Sequence, residues 1–253
     1  MSAELVILGC GSIVPHPGRG PAGYALRLRP GGEVCLLDPG PGTIRRLAPC
    51  GISLEEVRRV FVTHFHPDHC LDLFAILFAR RNPRLERGVP PLEIVGPPGL
   101  SRLLRAGEGM FGGWVRDPKA QVREVEPGEH PFEGFRLSAA KTHHTDHALA
   151  FRFDLAGGRS FAYSGDSPEH PDLSRLVAGV DLFLCECSFP DDLPCEGHLT
   201  PAQAGRLAAA AGVRRLLLTH FYPECDGRDL LGAVRAVFGG TAWLAGEGDR
   251  FAI

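Results

Sequence analysis

Residues 62–73, VTHFHPDHCLDL, crowd three histidines and two aspartates into nine positions: His64, His66, Asp68, His69 and Asp72. Neutral imidazoles and carboxylates are ligands that Zn²⁺ and similar divalent ions take in proteins. His64 and His66 are two positions apart, so in an extended segment they point to the same side. Pro67 then turns the chain, and Asp68 and His69 project from the turn. The types and spacing of these residues therefore predict a metal site.

Four segments, taken in chain order, resemble the motifs of one enzyme superfamily. HFHPDH (64–69) resembles the HxHxDH signature of the metallo-β-lactamase superfamily. Three later segments resemble its third-motif histidine, its bridging aspartate and its last histidine: KTHHTDHALAFRF (141–153), AYSGDS (162–167) and LLLTHFYPE (216–224). The resemblance therefore spans nearly the whole chain.

This resemblance implies that seven side chains hold two divalent ions. One ion would be bound by His64, His66 and His144, the second by Asp68, His69 and His220, and Asp166 would bridge them. Zn²⁺ is the expected ion because the ligands are rich in histidine. Mn²⁺ or Fe are alternatives for the same nitrogen and oxygen ligands.

Two further segments, ECSF (186–189) and HLT (198–200), resemble the ribonuclease Z-like branch of the superfamily. The resemblance implies that Glu186 orients and charges His198, which acts as a general acid or stabilises developing negative charge. Two ions about 3.5–4 Å apart would lower the pKa of a bridging water to about 7. The metal-bound hydroxide would attack the substrate, and Asp68 would orient or deprotonate the water. These roles suit hydrolysis of a phosphodiester.

The third motif offers three histidines, His143, His144 and His147, for one ligand position. Counting back from Phe151 and Arg152 favours His144 as the ligand. His143 should then point to the opposite face if the strand continues. His147 is interpreted either as a neighbour of the pocket or as a surface residue.

Two parts that characterise the tRNA-processing members of this branch are absent from the sequence. Those enzymes carry a long arm between the third motif and the bridging aspartate, whereas His144 and Asp166 are only 22 positions apart. Their loop of pattern PxKxRN is PHPGRGP (15–21) here, without the lysine and the asparagine. His16 in this loop is interpreted either as a substrate contact or as a plain loop residue. A small or flexible phosphodiester is therefore the favoured substrate.

Several alternatives stay open. The first is a ribonuclease Z-type 3′-endonuclease that binds tRNA in another way, so nucleic acid remains an alternative partner. The second is a hydrolase of another ester, a thioester or a lactone, although those branches do not need the Glu186–His198 pair. The third is a non-catalytic metal-binding module. The oxygen reductases that share the fold place a glutamate where this chain has His66.

The elements that must position these residues are strands alternating with helices. Twelve runs rich in Val, Leu, Ile and Phe predict strands, and helices are predicted from Ser53, at 70–80, 99–108, 168–177 and 227–238, and from Thr200 to Gly212. RRVFVTHFHPDH (58–69) and RRLLLTHFYPEC (214–225) are similar, which suggests two related halves. With the resemblance, this predicts an α/β fold, a four-layer αββα sandwich with pseudo-twofold halves, formed by a single domain of residues 1–253.

Composition limits the classes of function and location. The formal charge is −3 and the pI about 6.4, so there is no basic excess for capture of nucleic acid. No signal peptide is recognised and no apolar run reaches 18 residues, so no membrane association is expected. Eight cysteines without a CxxC pair suggest a reducing cytoplasm. Related enzymes commonly dimerise, so the resemblance leaves a homodimer open.

Overall fold

Two seven-stranded β-sheets form the centre of the computed structural model, which describes residues 3–85 and 88–253. The first sheet contains β1 (Glu4–Gly9), β2 (Gly23–Arg27), β3 (Val34–Leu37), β4 (Val57–Phe61), β5 (Leu92–Gly96), β6 (Ala120–Glu124) and β14 (Arg250–Ala252). The second contains β7 (Gly128–Phe132), β8 (Phe135–Lys141), β9 (Leu149–Leu155), β10 (Ser160–Tyr163), β11 (Leu182–Glu186), β12 (Arg215–Thr219) and β13 (Thr241–Leu244).

Helices cover the outer faces of both sheets. The first sheet packs against α1 (Thr43–Leu47), α2 (Pro67–Cys70), α3 (Asp72–Arg80) and α4 (Leu100–Phe111). The second sheet packs against α5 (Pro171–Leu176), α6 (Pro201–Ala210) and α7 (Leu230–Arg235). The predicted four-layer αββα sandwich is therefore confirmed. That residues 1–253 form one domain stays a prediction.

The core between the sheets is buried and contains a cluster of aromatic side chains. Phe61 of β4 is fully buried and meets four phenylalanine rings of the second sheet, with ring centroids 5.2–6.1 Å apart. These partners are Phe132, Phe135, Phe151 and Phe153. Because aromatic side chains bury the largest apolar areas, this cluster fixes the relative position of the two sheets.

The two sheets share one pattern of strand pairing, which confirms the pseudo-twofold halves. From β14 to β6, and from β7 to β13, three antiparallel pairs are followed by three parallel pairs. Under this correspondence β4 matches β11, whereas the similar segments 58–69 and 214–225 belong to β4 and β12. Their similarity therefore reflects two buried strands that end at the same edge, and it does not relate equivalent strands of the halves.

Some predicted elements differ from the structure. Glu56 accepts from the backbone N–H of Ser53 at 2.8 Å, as in a capping box, but the chain makes only a turn there before β4. The prediction of a helix from Ser53 was therefore wrong, because the buried strand that follows leaves no residues for it. The box at Thr200 and Gln203 does begin a helix, α6. Strand β7 and helix α1 were not predicted.

Parallel strands of both sheets end at one edge of the sandwich. There, Tyr163, the last residue of β10, donates to Asp38 after β3 at 2.8 Å, and the N–H of Leu149 donates to Thr63 O at 3.0 Å. Gly40 lies so close to the segment behind it that a Cβ would come within 1.9 Å of Asp68 O. The Leu149–Thr63 bond joins backbone of the two sheets at this edge, and Gly40 allows the segments that follow β3 and β4 to approach closely. None of the helices in the described ranges is both long and apolar enough to cross a membrane.

The aromatic core yields a test of the packing. Replacing Phe61 with alanine removes a ring that four others contact, and we expect the free energy of unfolding to fall by about 3–5 kcal/mol. Phe78, whose relative exposure is 54%, is the matched control, and Phe78→Ala should change stability by about 0.5 kcal/mol or less. Urea unfolding followed by fluorescence measures both. Equal losses in the two variants would contradict this account of the core.

Candidate metal centre

The ends of four strands and one loop bring the predicted site residues together. The residues follow β4 (His64, His66), begin α2 (Asp68, His69), lie in the loop between β8 and β9 (His144), and follow β10 (Asp166) and β12 (His220); Glu186 ends β11 and His198 precedes α6. Residues more than 150 positions apart in sequence thus meet at one edge.

Asp166 stands between two groups of donor atoms. The donors of His64, His66, His144 and Asp166 lie within 4.8 Å of one another, as do those of Asp68, His69 and His220. Oδ2 of Asp166 faces the first group, 3.8 Å from His64 Nε2 and 3.6 Å from His144 Nε2. Oδ1 faces the second, 3.3 Å from His69 Nε2 and 3.6 Å from His220 Nε2. One carboxylate therefore serves both groups, as a bridging ligand would.

Two buried atoms of this site have no hydrogen-bond partner among the described residues: His64 Nε2 and Asp166 Oδ1. A buried polar atom without a partner is destabilising, and both atoms face other ligand-type atoms. Divalent ions between the two groups would satisfy them with nitrogen and oxygen ligands of the kind that Zn²⁺ accepts. The residues present therefore fit two metal ions.

Burial and neighbouring charges shift the pKa values of the donor groups. Burial, helped by the neighbouring His69, holds the pKa of His64 well below its usual value, so this imidazole is neutral at pH 7. Burial also lowers the pKa of His66, helped by His144. Burial alone would raise the pKa of Asp166, but His220 and His69 outweigh it and hold that pKa well below the usual range. Burial alone would lower the pKa of His69, but Asp166 and Asp38 outweigh it and raise that pKa well above its usual value, so a metal ion would displace a proton from this ring.

Asp38, which the sequence analysis missed, orients the ligands from behind. It lies directly after β3 and accepts from Thr63 Oγ at 2.6 Å, from Tyr163 OH at 2.8 Å and from His69 Nδ1 at 2.8 Å. Because Thr63 donates its single proton to Asp38, its oxygen accepts from Nδ1 of His64 at 3.0 Å. A neutral ring of His64 or His69 that carries its proton on Nδ1 would present an unprotonated Nε2 to a metal.

Ser188, also missed, performs the same task for the second sheet. It donates to Glu186 Oε2 at 2.5 Å and accepts from His220 Nδ1 at 2.9 Å, so Nε2 of His220 faces Asp166. Glu186 is fully buried, and its other oxygen is 3.0 Å from Nδ1 of His198. Two arrangements of carboxylate, hydroxyl and imidazole therefore support the centre, one from each sheet. A polar residue at the end of a buried strand was the signal in both cases.

His143, His147 and His16 lie outside the two groups of donors that contain Asp166 or His220. His144 points into the centre, 3.2 Å from His66 Nδ1, whereas His143 turns away to Asp172. His147 is exposed. His16 pairs with Asp226 at 3.0 Å and its Nδ1 accepts from Gly18 N, which is a loop-stabilising role.

Two aromatic rings form a wall next to the centre. Phe189 and Tyr222 stack with centroids 4.7 Å apart and an interplanar angle of 23°. His198 lies 5.9 Å from the first ring and 6.0 Å from the second. Burial raises the pKa of Tyr222 to about 12, helped by Asp68, so its hydroxyl stays protonated beside the donors.

Substitution of Asp38 tests whether this residue orients the histidines for metal binding. Asp38→Asn keeps the shape and tolerates the left-handed backbone at this position (φ 44°), but it removes the charge and one acceptor oxygen. We expect affinity for Zn²⁺ to fall about 10- to 100-fold, measured by competition with a chromogenic chelator. Asp146→Asn, at an exposed position, is the control. Unchanged affinity in Asp38→Asn would contradict the role assigned to Asp38.

Comparison with known proteins agrees with this geometry. The family model described as a β-lactamase superfamily domain matches residues 34–221. A ribonuclease Z from Nocardia farcinica is 31% identical over 277 aligned positions, which cover 86% of this chain and 87% of that protein.

Two solved structures share the fold. YhfI of Bacillus subtilis, a metallo-β-lactamase fold protein, has a TM-score of 0.86 at 23% identity and covers 99% of this chain and 100% of its own. A diphosphatase of the PhnP family has a TM-score of 0.73 at 19% identity and covers 100% and 98% of the two chains. The chain therefore belongs to the metallo-β-lactamase superfamily, in its ribonuclease Z-like branch.

Proposed function

We propose that this protein is a binuclear metal-dependent phosphodiesterase that hydrolyses a small or flexible phosphodiester. The observation that carries the proposal is the position of Asp166, whose two oxygens face two separate groups of imidazole ligands. Membership of the ribonuclease Z-like branch supports metal-dependent hydrolysis. Zn²⁺ is the expected ion at both positions, with Mn²⁺ or Fe as alternatives.

The seven ligands are assigned as the sequence predicts them. His64, His66 and His144 would hold one ion, Asp68, His69 and His220 the other, and Asp166 both. Two ions, when bound, supply a nucleophilic water with a pKa of about 7 and neutralise charge on the substrate oxygen. Asp68 is less buried than His69, at 7% against 0% relative exposure, and it would also orient the attacking water.

His198 is assigned as the general acid. Its ring lies beside both ligand groups, with its centroid 4.8 Å from that of His144 and 5.9 Å from that of His220. Burial would lower the pKa of His198, but the hydrogen bond and charge of Glu186 outweigh it and raise that pKa above its usual value. Glu186 thus favours the protonated imidazole, which would donate its proton to the leaving oxygen.

One feature of the structure and one comparison support a small substrate rather than tRNA. Between His144 and Asp166 the structure has only β9, β10 and the short turn that joins them, so no arm extends from this place. A diphosphatase of the PhnP family shares this fold, which supports a phosphate-containing substrate smaller than tRNA. The similarity to ribonuclease Z keeps a tRNA 3′-endonuclease as the second candidate. Hydrolysis of another ester, a thioester or a lactone comes third.

The substrate class is tested by comparing a small ester with an RNA. We expect the protein loaded with Zn²⁺ or Mn²⁺ to hydrolyse bis(p-nitrophenyl) phosphate and to leave precursor tRNA largely intact. Rapid cleavage of precursor tRNA at one position, with little turnover of the small ester, would reverse the order of the two candidates. Cytoplasmic location and a homodimer stay predictions, the second measurable by light scattering.

Removal of the general acid should separate catalysis from metal binding. His198→Ala is expected to lower kcat about 10²- to 10⁴-fold, while elemental analysis finds the same metal content as in the unaltered protein. His130→Ala, which removes a partly exposed imidazole bonded to Glu126 O, is the control and should keep full activity. Loss of metal together with activity in His198→Ala would instead make His198 a ligand.

The pH profile tests the Glu186–His198 pair. The acid works only when protonated, so activity should fall as pH rises through the raised pKa of His198. Glu186→Gln removes the charge that raises this pKa, and the descending limb of kcat against pH should therefore move to lower pH. Metal content is measured in parallel because Glu186 also supports His220 through Ser188. If Glu186→Gln retains its metal and the descending limb stays at the same pH as in the unaltered protein, the assignment of His198 as the general acid is contradicted.

A further inference from the structure

A second group of ligand-type side chains lies outside the metal centre. His143 is in the loop between β8 and β9, His170 precedes α5, and Asp172 is in its first turn. One donor atom from each lies within 4.8 Å of the others. Among the His, Cys, Asp and Glu groups of this kind in residues 3–85 and 88–253, it alone shares no member with the centre described above.

The spacing of these atoms is that of ligands on one ion. Nε2 of His143 is 3.4 Å and Nδ1 of His170 is 3.3 Å from the same oxygen, Oδ2 of Asp172. Two ligands at about 2.0–2.1 Å from a tetrahedral ion are about 3.3–3.4 Å apart. Both distances are too long for strong hydrogen bonds to a carboxylate. The two imidazole rings also lie unusually close, with centroids 3.8 Å apart and tilted by 38°.

We propose that His143, His170 and Asp172 form a third metal site, which takes Zn²⁺, Ni²⁺ or Cu²⁺ with water as the remaining ligand. Two imidazoles and one carboxylate suit these ions and do not suit Mg²⁺ or Ca²⁺, which prefer oxygen ligands. All three side chains are partly exposed, at 32–40%, so an ion and its water reach them directly from solvent.

Two contacts compete with the ion and keep this site weaker than the seven-ligand centre. Arg175 donates to the other oxygen of Asp172, which offsets its charge. The backbone N–H of Asp172 donates to Nδ1 of His170 at 3.2 Å, and an ion on this nitrogen would replace that bond. The site therefore fills only after the centre at Asp166 is saturated.

The site is joined to the metal centre by a single peptide bond. His143 has a left-handed backbone (φ 64°), unusual for a residue other than glycine. This conformation sends its side chain outward to Asp172, while that of the next residue, His144, points inward to His66 and Asp166. An ion held by His143 would therefore restrain the backbone that carries His144.

Stoichiometry tests the proposal with the full chain. In equilibrium dialysis against increasing Zn²⁺, we expect two tightly bound ions and then a third. His143→Ala and His170→Asn should each lower the affinity for the third ion alone, by at least about 10-fold. Even removal of a residue that only supports a metal ligand typically lowers metal affinity by this much. Asparagine is chosen at position 170 because it also caps a helix. His147→Ala, in the same loop and exposed, is the matched control and should leave all three ions.

Spectroscopy identifies the ligands of the third ion. In protein first saturated with two equivalents of Zn²⁺, one equivalent of Cu²⁺ should give an electron paramagnetic resonance signal with coupling to two imidazole nitrogens. That signal should lose one nitrogen in His143→Ala and one in His170→Asn. Saturation of the unaltered protein at two ions would overturn the proposal. A third ion that persists in both variants with the same affinity would overturn it as well.

Discussion

The burial of one carboxylate, Asp166, is the constraint on which the structure of this edge depends. Its side chain is only 3% exposed, and its Oδ1 has no hydrogen-bond partner among the described residues. An ionised carboxylate in such a place is strongly destabilising unless positive charge surrounds it. His69, whose pKa is raised, provides part of that charge, and the two ions that the site is proposed to hold would provide the rest. The arrangement therefore makes metal binding part of the stability of the fold.

Both sheets support the ligands in the same way, although the two supporting carboxylates lie at the ends of β3 and β11, which the twofold pattern does not relate. In the first sheet Asp38 acts through Thr63 on His64, and in the second Glu186 acts through Ser188 on His220. Each carboxylate lies at or directly after the end of a strand, where the parallel strands of its sheet reach the common edge. The same physical solution thus occurs twice. Only the second carboxylate also contacts a histidine proposed as an acid, which makes the two halves chemically different.

The fold and the ligands could be predicted from sequence to the extent that their signals are local. The residues of 64–69 are close in sequence, so their spacing alone indicated a metal site. Asp38 and Ser188 are single polar residues at strand ends, and only the pairing of distant strands reveals their contacts. The helix expected at Ser53 failed because the Ser53–Glu56 bond also forms in a turn. The outward turn of His143 depends on a left-handed backbone that no spacing rule encodes.

A crystal structure of the protein grown with Zn²⁺ is the most direct test of the central claim. Anomalous scattering at the zinc edge should locate two ions about 3.5–4 Å apart, with one oxygen of Asp166 on each. A single ion held by His64, His66 and His144 alone, with Asp166 turned away, would contradict the account. So would ions bound only at surface imidazoles while His69 and His220 remain unligated.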